Sequence, residues 1–135
     1  MEMIETRPVL THKAVMKMLE AAVAKAEEIG QPQCIVIVDA GGDVLGEIRM
    51  TGSKFLSRRS ALAKALTAAS NRTPSDNVPE AVRAAIAAAT DGAVTGLTGG
   101  LPILIEEHVV GAIGIGSGTP EQDLDVANAA LNILS

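Results

Sequence analysis

The chain has 135 residues, enough for one domain with a single sizeable core, and is 47% apolar and 20% charged, the balance of an ordinary globular fold. Its net charge of −5, from 11 basic and 16 acidic residues, leaves no basic surface to neutralise phosphates and argues against nucleic acid as a partner. No apolar run approaches the roughly 20 residues that span a bilayer, so no membrane role is expected.

Residues 1–10 read as an extended arm ahead of one domain at 11–135. The arm opens Met1-Glu2-Met3-Ile4-Glu5, without the basic start and apolar centre of a signal peptide, so the cytoplasm is the expected compartment. Thr11 is a helix N-cap. Val15, Met18, Leu19, Ala22, Val23, Ala26 and Ile29 then recur at the 3.6-residue period of an amphipathic helix that stops at Gly30. Cys34–Asp39 is apolar and β-branched, which suits a strand covered on both faces. Cys34, the single cysteine, packs within it as a small hydrophobe. Ala40-Gly41-Gly42-Asp43 turns the chain into a partner strand at 44–50.

An alanine-dense helix is predicted over 53–72, broken by Thr73-Pro74. Pro79 opens a third helix that ends at Asp91-Gly92, with Val82, Ala85, Ile86 and Ala89 on one face. Strands at 101–105 and 109–115 form a second hairpin across Glu106-Glu107-His108. Thr119, Pro120 and Gln122 then supply the N-cap, first-turn proline and capping box of a last helix, which carries Leu124, Ala127, Leu131 and Leu134 inward.

The order α-β-β-α-α-β-β-α describes an α/β fold of the α+β type, in which two hairpins build an antiparallel sheet and the helices cover it. Gly99-Gly100 precedes a strand instead of following one, so it is no dinucleotide fingerprint. The sequence has no Cys-x-x-Cys or paired-histidine spacing, and no metal site is expected. Phe55 is the one aromatic residue, which leaves a bound ring almost no stacking partner.

The strongest functional signal lies between residues 109 and 123. Ala112, Gly114 and Gly116 share one face of their strand, a strip without large side chains that admits either a closely packed helix or a ligand. It leads to Ser117-Gly118-Thr119, where the amides of a helix start, beside Gly116 and Gly118, offer a seat for a carboxylate, phosphate or carbonyl oxygen. The second helix carries a polar stripe of Ser57, Ser60, Lys64, Thr67 and Asn71. A solvated face explains that stripe; alternatively, Lys64 pairs with an anionic ligand or with a carboxylate such as Asp39. Asp43 reads as a turn acceptor and leaves Asp39 ambiguous. Arg49 suits an acid or a ligand carboxylate. The dipole of the last helix suffices to explain Glu121 and Asp123. His12 and His108 read as surface residues, with haem or metal ligation the alternative for His12.

Together these motifs resemble the GlcG/HbpS-like family, which includes the C-terminal domain of PduO. The resemblance runs nearly end to end, through Val36-Ile37-Val38-Asp39-Ala40-Gly41-Gly42, Arg49-Met50, Lys64-Ala65 with Thr67-Ala68, Thr73-Pro74-Ser75, Gly99-Gly100-Leu101-Pro102 and the run ending Gly-Thr-Pro-Glu-Gln-Asp. It implies a five-stranded antiparallel sheet flanked by helices, and dimers that build larger homo-oligomers. It also implies a small pocket bordered by Lys64, Gly99, Gly100, Pro102, Gly116, Ser117, Gly118 and Thr119. The chain departs from the family pattern at Thr51, where an acidic residue is usual, and over the alanine-rich 84–96, where a proline and an aromatic are usual. Both changes reshape the expected pocket rim.

Residues and resemblance together predict a homo-oligomeric binding protein for a small, anionic metabolite, accessory to a bacterial catabolic pathway. Lys64 and Arg49 supply charge, and the amides near Gly100 and Ser117-Gly118-Thr119 supply orientation. Haem or a corrinoid is a variant ligand, with His12 the candidate haem ligand. The alternative is a small cofactor-independent isomerase, hydratase or hydrolase. It would use Lys64 or Asp39 as general base, with the Gly99-Gly100 amides stabilising an oxyanion.

Overall fold

The computed structural model describes residues 2–135. Helix α1 (His12–Glu28) begins where the Thr11 hydroxyl accepts the Ala14 amide at 3.2 Å. Just past its end, Gly30 takes φ +70°, a conformation that suits a residue without a Cβ. Val15, Met18, Ala22 and Ala26 are its buried stripe.

Strands β1 (Cys34–Asp39) and β2 (Val44–Arg49) form the first hairpin, and β3 (Gly100–Ile105) and β4 (His108–Gly116) the second. In the second, Glu106 and Glu107 take φ +50° and +70°, the left-handed pair that suits a two-residue hairpin turn. β1 also pairs antiparallel with β4, so the sheet has four strands in the order β2-β1-β4-β3. This corrects the five strands that the family resemblance implies. Among the described residues the arm adds no ladder to either edge. The long connection before β3 is spent on 3-10 turns at Ser75–Asn77 and Glu80–Val82 and on a short helix, α3 (Arg83–Ala89).

Helix α2 (Ser57–Asn71) covers one face of the sheet, where Cys34, Val36, Val38 and Ala112 meet Ala61, Ala65, Ala68 and Ala69. The other face, with Ile35, Ile37, Ile103, Ile113 and Ile115, packs on α1 and on α4 (Pro120–Leu131). In the β3–β4 pairing the register shifts between Ile103 and Leu104, and this bulge lets Val110 join the α1–α4 side of the core. The small-residue strip of β4 is where α2 sits down on the sheet. A Cβ at Gly114 would overlap the Ala61 carbonyl oxygen, and one at Gly116 would stand 2.7 Å from the Ser57 carbonyl. Close helix packing fills the strip, so no ligand lies along it.

Three expected boundaries move. α2 starts at Ser57, four residues later than predicted, because consecutive tight turns occupy the preceding residues: Ser53 N–H donates to Met50 O and Ser57 N–H to Lys54 O, each at 3.0 Å. The third helix is shorter than its alanine-rich sequence suggests and has no buried residue. α4 gives way to a 3-10 turn at Asn132–Leu134; its buried residues are Asp123, Val126, Ala127 and Ala130, and Leu131 and Leu134 pack against the core as expected. Leu124 is only half-buried, because Asp123 turns inward in the first turn. Among the described residues no helix is long and apolar enough to cross a membrane.

Candidate functional site

The polar stripe on α2 faces inward. Lys64 is 5% exposed and Thr67 fully buried, while Ser57 and Ser60 are half-buried and Asn71 is exposed. A solvated face is therefore excluded for its central members. Lys64 reaches around the end of β4, where its Nζ donates to the Ile115 carbonyl at 2.7 Å and to Asp123 Oδ2 at 3.0 Å. Gly99 makes room for that passage. It sits at φ +127°, and a Cβ there would fall 3.1 Å from both Lys64 Cδ and Nζ and 2.8 Å from the Ile115 oxygen. The side chain from one face of the sheet thus meets a carboxylate from the other.

Asp123 is the residue that sequence reasoning missed. The side chains of the pair are only 6% and 3% exposed, and Oδ1 of Asp123 also accepts the Gly118 amide at 3.1 Å. Burial raises the Asp123 pKa above its ordinary value, and the charge and hydrogen bond of Lys64 and the Gly118 amide pull the other way without cancelling it. Gln33 is itself fully buried against this carboxylate, yet neither its Nε2 nor its Oε1 has a partner in hydrogen-bonding geometry. A desolvated, unsatisfied amide beside an ion pair is the kind of exception that marks a site.

The helix-start seat is already taken. Besides the Gly118 amide held by Asp123, the Thr119 amide donates to Gln122 Oε1 at 2.9 Å and the Gln122 amide to Thr119 Oγ1 at 3.2 Å. Ser117, at φ +89°, ties the corner to its neighbours: its Oγ accepts the Lys54 amide at 3.0 Å and its carbonyl accepts Gln31 Nε2 at 2.9 Å. The Gly100 amide donates to Ser75 Oγ at 2.9 Å, so it is not free to stabilise an oxyanion. Pro102 lies within edge strand β3 opposite Ala112, a position where its missing N–H is tolerated.

Beside the ion pair is an open hollow of about 300 Å³, lined by Lys64 and Asp123 together with Lys54, Ser57, Ser60, Leu97, Thr98, Ser117, Gly118 and Pro120. A shallower apolar hollow around Phe55 and Leu56 shares Lys54, Ser57 and Ser60 with it. Several predicted site residues lie elsewhere. Asp39 is the turn acceptor, in the role expected of Asp43: its Oδ1 takes the Gly41 amide at 2.9 Å and the Asp43 amide at 3.0 Å. One oxygen of its carboxylate is therefore committed to backbone amides, and the residue lies outside the Lys64 hollow. Arg49 is exposed at the end of β2, in register with Cys34 and outside the Lys64 hollow. His12 is exposed on the first turn of α1 and His108 at the start of β4. Thr51 lies exposed in the turn after β2.

The sequence profile of the family described as Haem degrading protein HbpS-like matches residues 10–132, and the chain belongs to that family. It is 34% identical over 131 residues to an uncharacterized 15.0 kDa protein from the dhaT-dhaS intergenic region of Citrobacter freundii, covering 93% of this chain and 92% of that protein. Among solved structures it superimposes on Klebsiella pneumoniae protein ORFY with a TM-score of 0.92 and 30% identity, covering 98% of this chain and 95% of the other. A crystal structure of a PduOC:heme complex is similar at a TM-score of 0.86 and 27% identity, covering 93% of this chain and 95% of that one.

Proposed function

We propose that this HbpS-like chain binds a small, hydroxylated, singly anionic metabolite in the hollow floored by Lys64 and Asp123, as an accessory to a catabolic pathway. The observation that carries the reading is the buried ion pair itself, which borders an open hollow instead of being sealed in the core. Two of the three ammonium protons of Lys64 are engaged, by Ile115 O and Asp123, which leaves one donor beside a carboxylate acceptor. That combination suits a hydroxyl group. Lys54 in the lining, with Lys64 and Asp123, brings its formal charge to +1, which suits one ligand carboxylate.

The test is a panel of hydroxy acids, polyols and simple carboxylates screened by melting temperature, because a true ligand stabilises the folded form by mass action. Hydroxy acids should raise the melting point of the native chain and leave that of a Lys64→Met/Asp123→Leu variant unchanged. Equal shifts in both proteins refute the site.

The enzymatic reading moves from Lys64 or Asp39 to Asp123. A carboxyl whose pKa is raised by burial, next to an ammonium, has the character of a general base or acid. Proton exchange at the α-carbon of a bound oxo acid in deuterated buffer, lost in Asp123→Asn, tests it. Haem, the ligand named for the PduOC complex, would have to use a different surface from the Lys64 hollow, which neither histidine borders. His12 is exposed, and His108 borders a hollow of about 440 Å³ lined by Arg7, Arg72, Glu5 and Glu107 as well as by Val9, Leu10, Leu45 and Val110. A hemin titration of the native chain, His12→Ala and His108→Ala tests both positions. Assembly into a homo-oligomer belongs to the same reading. It is supported by the arm residues Met3, Ile4 and Val9, exposed at 80%, 91% and 77%, and by the unburied α3.

A further inference from the structure

We infer that the ligand of this site is amphiphilic: a short- to medium-chain hydroxycarboxylic acid whose hydrocarbon tail lies along Phe55 and Leu56. The inference rests on the reading of the Lys64–Asp123 hollow as a binding site and adds the class of molecule it takes. Three observations carry it. The polar hollow and the apolar hollow are neighbours, sharing Lys54, Ser57 and Ser60 in their walls. The chain's sole aromatic residue stands there, with Phe55 68% and Leu56 60% exposed side by side, while Leu97, 56% exposed, forms part of the polar hollow's own lining. The turn that presents Phe55 is anchored at both ends, since Lys54 N–H donates to Ser117 Oγ at 3.0 Å and Lys54 O accepts the Ser57 amide at 3.0 Å.

The apolar surface is therefore held next to the ion pair by the same hydrogen bonds that shape the corner. A hydroxyl on the Lys64–Asp123 floor and a carboxylate near Lys54 orient such a ligand, and its remaining methylenes find apolar surface on Phe55, Leu56 and Leu97. A ligand without a tail would leave that surface in water. The gain on covering it scales with the hydrocarbon area removed from solvent, so chain length should tune affinity while the head group sets specificity.

Calorimetric titration of the full chain with 3-hydroxybutyrate, 3-hydroxyhexanoate and 3-hydroxyoctanoate tests this. A tail half-covered by the shelf should tighten binding about twofold per added methylene, and Phe55→Ala should flatten that slope. Equal affinity for all three acids overturns the amphiphile but leaves the site standing. Absence of binding by every acid, or binding that survives Lys64→Met/Asp123→Leu, overturns the site and the inference with it. If Phe55→Ala keeps the slope and instead yields a smaller particle in light scattering, the shelf is a subunit contact and the inference falls.

Discussion

Replacing Lys64 by Met removes one charge and keeps most of the side-chain volume. Asp123 would then stand 2% exposed with the Gly118 amide as its one remaining hydrogen-bond donor at normal distance. Breaking a buried pair by deleting one partner costs about 3–5 kcal/mol. Proton uptake sets the ceiling, because an unpaired carboxylate protonates before it accepts a larger penalty. From an ordinary value of 3.8 to pH 7, that ceiling is about 4 kcal/mol at 1.36 kcal/mol per pH unit. A loss of about 3 kcal/mol is therefore expected, or about 10 °C in melting temperature for a domain of this size.

The assay is urea unfolding of the native chain, Lys64→Met, Asp123→Asn and the double variant, at pH 7 and pH 5. The folded-state pKa of Asp123 lies above its unfolded value, so its contribution to stability is greatest below about 3.8 and is lost as pH rises through the folded value. Loss of Lys64 moves that window upward, and Lys64→Met should recover stability relative to the native chain at pH 5. The two single substitutions should also be strongly non-additive, with a coupling of at least about 1 kcal/mol. A deficit below about 1 kcal/mol that does not change with pH would refute a desolvated pair.

Gly114→Ala forces a methyl group into the Ala61 carbonyl of α2; a loss of more than about 3 kcal/mol is expected, measured by thermal and urea unfolding, and it should exceed that of Gly30→Ala, where nothing lies within 4 Å. Thr119→Ala removes the reciprocal capping box of α4 and should cost about 1 kcal/mol, with hydrogen exchange faster at the Gln122 amide than elsewhere in the helix. Gln33→Leu replaces a buried amide whose two polar atoms lack partners. It should be neutral or stabilising by about 1 kcal/mol, measured by urea unfolding, and a loss of more than about 1 kcal/mol would show that the amide has a partner.

Most of the fold was legible because its signals are local. Thr11 as N-cap, the 3.6-residue stripe of α1, Cys34–Asp39 as a strand and the Thr119–Gln122 capping box each depend on residues within a few positions of one another. The late start of α2 is not legible because the tight turns through Ser53 and Lys54 that delay it are tied down by the Ser117 hydroxyl, 63 residues away along the chain. On α4 the apolar stripe reads correctly at Ala127, Leu131 and Leu134, which join the core, but not at its start. Leu124 is the more apolar residue there, but the partner that draws Asp123 inward is Lys64, 59 residues distant. The bare strip of β4 was legible as a close approach, but not which group approaches, because a helix and a ligand make the same demand for missing side chains.

The two aspartates illustrate how this changes the chemistry expected of the site. Asp39 sits beside two glycines, and one of its carboxylate oxygens accepts the amides two and four residues on, so a tight turn explains its place. Asp123 sits where helix-dipole reasoning is sufficient, yet it fills the anion seat that the Ser117-Gly118-Thr119 corner offers to a guest. An incoming anion that takes the ammonium of Lys64 must displace an internal carboxylate, whereas a hydroxyl can bridge the pair without breaking it. Anion binding should then depend on the protonation of Asp123. As pH falls through its raised value, the carboxyl becomes neutral, Lys64 gains an unopposed charge, and affinity for a simple carboxylate such as butyrate should rise, whereas 3-hydroxybutyrate bridges the intact pair and needs no added proton. Calorimetry of both acids, in buffers of different ionisation enthalpy and across the Asp123 titration followed by carboxyl NMR, would read the difference as proton uptake by butyrate alone. Equal proton uptake with both acids would mean that the hydroxyl does not bridge the pair.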